Sequence, residues 1–483
     1  MLKFDLRRKD ATALTHPGET GLSRSLGLGS LVMLGVGTTV GAGIYVLTGI
    51  AAAHHAGPAV ALAFVVAGVA CLFAGLCYAE LAGMFPVSGS AYSYAFVAFG
   101  EALAWAVGWT LVLEYLFTVA VLAAGWSGYF TALLRGNGLT LPPQLTRAPL
   151  AATPEGLVPS GAVLDLPALG IVLATTALLT GRLEHMARLN NLLVVLKISV
   201  IIAFVAFGAT HLDPANLDPF VPANEGRFGH FGWTGVLQAS GLLFYAYIGF
   251  DGVSATALEA RRPQRDVPLA ILLSLVVCGA LYVLTALVLT GLVPYRELDV
   301  PDPLLLAIER AGPALAWLRP WIGGSIVLGL VATILSALYG QTRIFFVMAR
   351  DGLLPAAFAR ASSAGVPAEN ALIVGLLSAV MACTLPIDAL GELSSIGTLF
   401  AFLMVCLAMI ALRLEMPEAH RPFRAPFGIV TGVLGAAFCL VLMASMPGAT
   451  WIRLLIWLAL GAAIYLFYGR KRSHLAASRE NSA

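Results

Sequence analysis

Charge is what this sequence has least of. Asp, Glu, Lys and Arg together make up 11% of its 483 residues, against 59% hydrophobic, far from the averages of soluble domains. Lysine is scarcer still: between Lys9 and Lys471 there is one, Lys197. No polar stretch is long enough to fold as a soluble domain. The longest, 135–160, is rich in Pro, Gly and Thr and reads as a loop, as does 210–232. A net charge of +2 gives no reason to invoke nucleic acid. The six cysteines form no CxxC and have no His neighbours. They read as small apolar packing residues, not as disulfides or metal ligands. No nucleophile–base pair and no metal-spaced cluster of His, Asp and Glu stands out, so neither an enzyme nor a cofactor is expected. His54 and His55 are adjacent and cannot share a helix face.

What is present is apolar sequence in long runs. Twelve stretches are each of a length to cross a hydrocarbon core: 26–53, 58–84, 98–130, 162–181, 189–208, 232–256, 268–293, 321–349, 370–387, 392–413, 427–446 and 450–468. The pattern predicts an all-α polytopic membrane protein with 12 transmembrane helices. The first stretch is too long for a cleaved signal and is read as a retained span. If both termini are cytoplasmic, 20 Lys and Arg residues fall inside and 7 outside, with Lys197 within a span. That asymmetry predicts cytoplasmic termini, with 1–25 and 470–483 as the cytoplasmic ends. The inside loops 259–267 and 350–367 read as short and turn-rich.

The first span is built to stop being a helix at its centre. Gly35-Val36-Gly37-Thr38-Thr39-Val40-Gly41-Ala42-Gly43 holds four glycines in nine residues, which cost a helix about 3–4 kcal/mol relative to alanine. In lipid, opened backbone survives only where protein or a water-filled cavity satisfies it. The plainer reading of Gly37-x-x-x-Gly41 is a helix-packing face; Gly43 and the Thr38-Thr39 pair favour an opened turn. Freed N–H groups at the start of the next half-helix would suit a carboxylate, and freed carbonyls on the other half an ammonium. The string lacks the third glycine of a dinucleotide fingerprint and no strand precedes it. The sixth span carries a second interruption, Gly241 to Gly252, with Asp251 at membrane depth. Paired interruptions in corresponding positions of two halves point to a transport site.

Three charged residues within spans stand out. Lys197 sits about 10 Å along its helix from Asn190. It either snorkels towards the cytoplasm or stays inside and exchanges a proton with each cycle. Glu114 should face the bundle interior, where it meets substrate, carries a proton or hydrogen-bonds a neighbouring helix. Asp251 either binds a cationic group or braces the break by accepting backbone N–H bonds. Glu80 and Glu101, near span ends, read as solvated or structural. Tyr245 and Tyr247 read as pocket wall or as core aromatics.

At these residues the chain resembles the amino acid–polyamine–organocation superfamily, and within it the cationic amino acid transporters and their bacterial relatives. The matching strings are Gly35 through Leu47, Cys77-Tyr78-Ala79-Glu80-Leu81-Ala82, Pro86 through Tyr92, and Gly108-Trp109 with Leu113-Glu114-Tyr115. They continue through Ala246 to Asp251, Arg262 to Pro268, and Gln341 to Pro355. The resemblance implies a 5+5 inverted-repeat (LeuT-like) core plus two C-terminal helices, with helices 1 and 6 broken. The repeats would be 26–208 and 209–413, followed by helices 11 and 12 over 414–469. It implies that a substrate carboxylate meets Val40, Gly41, Ala42 and Gly43. The substrate amine would meet carbonyls around Gly37 and, in span 6, Tyr245, Ala246 and Ile248. The family's fifth-span lysine falls on Lys197, which implies proton coupling and argues against sodium. Ala337 is a specificity position whose small side chain would leave room for arginine or lysine, with Glu114 and Asp251 as partners for the distal charge.

The function expected is proton-coupled amino acid uptake by alternating access across a bacterial cytoplasmic membrane, cationic substrates favoured. An exchanger, a carrier of small neutral amino acids such as alanine, and an amino acid sensor on the same fold are the alternatives. Amino acid, proton and lipid bilayer are the expected partners; a small single-helix subunit is left open.

Overall fold

The computed structural model describes residues 26–87, 89–153, 156–180, 186–359 and 368–473. The expected cytoplasmic segment 1–25, Ser88, Arg182, Arg360 and the tail from 474 onwards lie outside the described residues. Among the described residues, each of the twelve apolar stretches is mainly helical, the first and the sixth being broken. The helices are α1 (Leu28–Thr39), α2 (Thr48–Ala51), α3 (Val60–Met84), α4 (Ser90–Phe99), α5 (Glu101–Gly136), α6 (Leu166–Leu179), α7 (Met186–Gly208) and α8 (Gly232–Leu243). They continue with α9 (Asp251–Ala255), α10 (Pro263–Leu292), α11 (Pro303–Arg310), α12 (Leu318–Arg350), α13 (Ala368–Thr384), α14 (Ile387–Glu415), α15 (Ile429–Ala444) and α16 (Gly448–Ile464). Among the described residues, eight helical stretches are long and apolar enough to cross a membrane, and four shorter apolar helices accompany them. One of the eight, Gly43–Met84, contains both the second half of the first expected span and the whole of the second.

The helices pack as a bundle that turns apolar side chains outward as well as inward. α3 lies along α10, α5 lies against both α12 and α14, and α7 packs on α12. Large apolar residues such as Leu192, Val276, Leu376 and Ile456 remain exposed, as suits a surface solvated by lipid. The six cysteines are free and buried.

Several boundaries differ from expectation. The third span starts at Glu101, not 98, because Gly100 (φ 87°) adopts a backbone open to glycine and separates it from α4. α4 itself, ten residues long, falls below any bilayer-crossing length. The expected loop 135–160 contains an antiparallel hairpin, β1 (Leu150–Thr153) with β2 (Gly156–Pro159). The basic loop read as 259–267 ends early: Pro263 opens α10 within the first turn, where its missing N–H costs nothing. Of the two readings of Glu80 and Glu101, the structure takes the structural one: both are buried. Glu80 accepts from Arg413 Nε at 2.8 Å and Ala425 N at 2.8 Å, and Glu101 accepts from the Tyr465 hydroxyl at 2.9 Å.

Candidate functional site

The two glycine-rich interruptions are real breaks, and they touch. α1 ends at Thr39, Val40 is extended (φ −74°, ψ 104°), and the chain resumes as a π-helical turn over Gly43–Leu47 leading into α2. The first-turn N–H groups of a helix have no partner inside it; those of Gly41, Ala42 and Gly43 open this second half. In the sixth span, α8 tightens to a 3₁₀ turn over Phe244–Tyr247, Ile248 is extended, Gly249 takes φ 121°, and α9 begins at Asp251. A Cβ on Gly249 would lie 2.8 Å from the Thr38 carbonyl carbon, and one on Gly43 would lie 2.5 Å from Ala246 Cα. Both glycines are therefore required by close approach. The Thr38 hydroxyl donates to Gly249 O at 3.0 Å.

Lys197 does not snorkel. Its side chain, 1% exposed, points into the bundle, and its ammonium donates to Gly37 O at 2.7 Å, Val40 O at 3.0 Å and Thr333 Oγ1 at 3.0 Å. A buried ammonium costs several kcal/mol unless its donors are met; here all three have acceptors. Two of those acceptors are carbonyls that the end of α1 leaves free, where the helix dipole also favours a cation. Gly329 on α12 makes room for the lysine stem, and Gly37 packs against Val194.

The other expected residues divide. Asp251 is buried and accepts from Gly249 N at 3.3 Å, the bracing role. Ile248, Asp251 and Ala337 line a cleft of about 970 Å³, open mouth included, with Leu34, Thr38 and Tyr115. Val40–Gly43, Tyr245 and Glu114 are not part of that lining. Tyr245 donates its hydroxyl to Thr118 O at 3.3 Å. Both carboxyl oxygens of Glu114 are enclosed without a hydrogen-bond partner; the neighbouring Thr398 hydroxyl donates to Ser394 O at 2.9 Å. At one end of the cleft Arg343 faces Glu259 at 3.4 Å.

Sequence reasoning missed Tyr282. Its hydroxyl, on α10, donates to Thr39 O at 3.0 Å and Ala246 O at 2.8 Å, one carbonyl from each break. Thr333 and Gly329 were also unforeseen. A tyrosine hydroxyl inside an apolar span needs a partner, and that was the available signal.

The sequence profile of the amino acid permease family matches residues 26–466. The chain belongs to this family. Its relatives include the branched-chain amino acid permease BcaP of Bacillus subtilis, 40% identical over 97% of either chain. The methylthioribose transporter of the same organism is 39% identical over 97% of this chain and 98% of its own length. The vacuolar cationic amino acid transporter 4 of Arabidopsis thaliana is 34% identical over 86% of this chain and 68% of its own. The resemblance to the amino acid–polyamine–organocation superfamily is thereby confirmed. This permease is a multi-pass helical membrane protein from a family of transporters.

Proposed function

We propose that this permease takes up an α-amino acid by alternating access and couples that movement to a proton through Lys197. The observation that carries the proposal is the bonding of the Lys197 ammonium to Gly37 O and Val40 O at the first break. An ammonium has three donors and a neutral amine two. Loss of the proton therefore removes one of the three bonds that tie α1 to α7 and α12, and weakens the hold of the first half-helix on its neighbours. The substrate carboxylate would meet the N–H groups of Gly41–Gly43, and its amine the span 6 carbonyl of Ile248, since Lys197 and Tyr282 already hold Gly37 O, Val40 O, Thr39 O and Ala246 O. Spans 1–5 and 6–10 would form the inverted repeats, and the contact of the two breaks supports that pairing. With both termini cytoplasmic, the cleft reaches the cytoplasmic end of α12.

For the side chain, the cleft walls favour an apolar group. Leu34, Ile248, Ala337 and Ile344 face it, and Arg343 stands at one end. The cationic reading rests on Asp251 in the same lining. Uptake of labelled leucine, alanine and arginine into proteoliposomes, with and without an imposed pH gradient, tests both. Gradient-stimulated leucine uptake that arginine does not compete is expected, and Lys197→Ala should lose the stimulation. Full gradient-driven accumulation in Lys197→Ala removes the lysine from the mechanism, and self-competing arginine uptake untouched by leucine restores the cationic reading.

A further inference from the structure

A second polar cavity lies at the end of the bundle away from the cleft. The last turns of α5, the loop 140–147 and the segment Val300–Asp302 enclose about 820 Å³, mouth included. Arg135, Arg147 and Asp302 line it together with Thr131. Among the described residues, none of these three charged side chains has an ion-pair partner within 4.0 Å. The Thr131 hydroxyl oxygen is buried with no hydrogen-bond partner. Burial lifts the Asp302 carboxyl above the usual carboxylate range, and Arg135 and Arg319 pull against that shift. Charges of both signs thus face one space without pairing across it.

The cavity stands above the first break and is closed from it. A Cβ on Gly128 would lie 2.5 Å from Pro301 Cβ, so helix and loop meet tightly at the inner end. The Tyr129 hydroxyl donates to Tyr45 O at 2.8 Å and accepts from Leu304 N at 3.4 Å. One turn deeper, Gly125 packs on Ala42 and Val46, beside the proposed carboxylate cradle. From Gly125 to Thr131 the helix rises only about 9 Å.

We propose that this cavity is a second, weaker binding site for a zwitterionic amino acid on the closed side of the transporter. The two guanidinium groups would take the carboxylate, Asp302 the ammonium, and the Thr131 hydroxyl one further hydrogen bond. A ligand of negative charge alone would leave Asp302 facing it unpaired. The inference rests on the chain's being an amino acid permease and not on the identity of the side chain, because these residues address the part that all amino acids share.

The test is equilibrium binding of labelled leucine, and separately of labelled arginine, to the detergent-solubilised protein, together with uptake kinetics in proteoliposomes. Two sites per chain are expected for whichever amino acid is transported, and one in Arg135→Gln/Arg147→Gln. That variant should raise the uptake KM about tenfold, the size of one charge-assisted hydrogen bond, and leave kcat unchanged. Asp302→Asn should act in the same direction, and Arg135→Lys/Arg147→Lys should recover part of the affinity. Lys197→Ala should keep the second site while losing gradient-driven uptake, which separates failure of this proposal from failure of the coupling mechanism. A single site in the parent protein, unchanged KM in both the glutamine and asparagine variants, or occupancy by inorganic phosphate in place of amino acid would overturn it.

Discussion

Gly329 is the notch that lets Lys197 reach the first break. A Cβ at that position would lie 2.5 Å from both Cγ and Cδ of the lysine. Alanine would favour α12 by about 1 kcal/mol, but the lysine stem would have to move, and its ammonium would leave Gly37 O and Val40 O. Gly329→Ala should therefore lose pH-gradient-driven uptake to the extent that Lys197→Ala does. The double variant should be no worse than Lys197→Ala alone, because both changes break one linkage. Uptake assays on the three variants check this. Additive losses would mean that Gly329 acts elsewhere.

Tyr282 fastens the two breaks to each other through one hydroxyl. Tyr282→Phe leaves Thr39 O and Ala246 O short of a donor, at a cost of about 1–3 kcal/mol. A lower melting temperature and slower uptake are expected together. Tyr247→Phe supplies the contrast, because that hydroxyl donates to Phe64 O, away from the first break. It should lower the melting temperature and spare uptake. Equal uptake losses in the two variants would deny Tyr282 a specific part.

These contacts explain which parts of the site could be read in advance. The breaks were legible because clustered glycines weaken a helix wherever it sits, so the signal is local. Lys197 was legible because a lone cation at membrane depth is costly without acceptors, although the sequence left snorkelling open. Tyr282 was not, since a tyrosine in an apolar run reads the same whether it faces lipid or a buried carbonyl. Gly329 has significance only through the residue packed against it. The hairpin at 150–159 was hidden by turn-forming composition, and α4 by being too short to stand out in a search for spans. Membership in the family was carried by whole strings; the bond from Lys197 to Val40 O required three dimensions.

A pair that responds to pH joins the turn after the first span to the segment before α11. His54 Nε2 lies 3.0 Å from Asp299 Oδ2, and the hydrogen bond from His54 holds the Asp299 carboxyl below its usual range. A carboxylate depressed in this way stabilises the fold above its unfolded pKa of about 3.9. The contribution is lost as pH falls through the lower folded value. Both side chains are about half exposed, so screening keeps the effect small. Asp299→Asn should melt below the parent at pH 6, and the difference should shrink as pH falls below the unfolded carboxylate value of about 3.9. Melting curves across that range decide it; a gap that stays constant with pH would show that the pair does not titrate with folding.

Ala337 offers the most direct control over what the cleft admits. It lines the cleft beside Ser336 and Gly340 while also packing in the buried core, so a longer residue would reach into cleft space. Ala337→Met should shorten the chamber, and a melting temperature close to that of the parent would separate this from the strain of an overpacked core. A change of a few methylenes in an apolar pocket alters discrimination by about 10–200-fold. The kcat/KM for leucine should fall by that order while glycine and alanine retain theirs. If leucine and alanine decline in parallel, Ala337 does not border the substrate side chain and the selectivity must be sought along Ile248 and Tyr115, on the facing walls. If leucine alone declines, the cleft between the two breaks and α12 is where this permease reads its substrate.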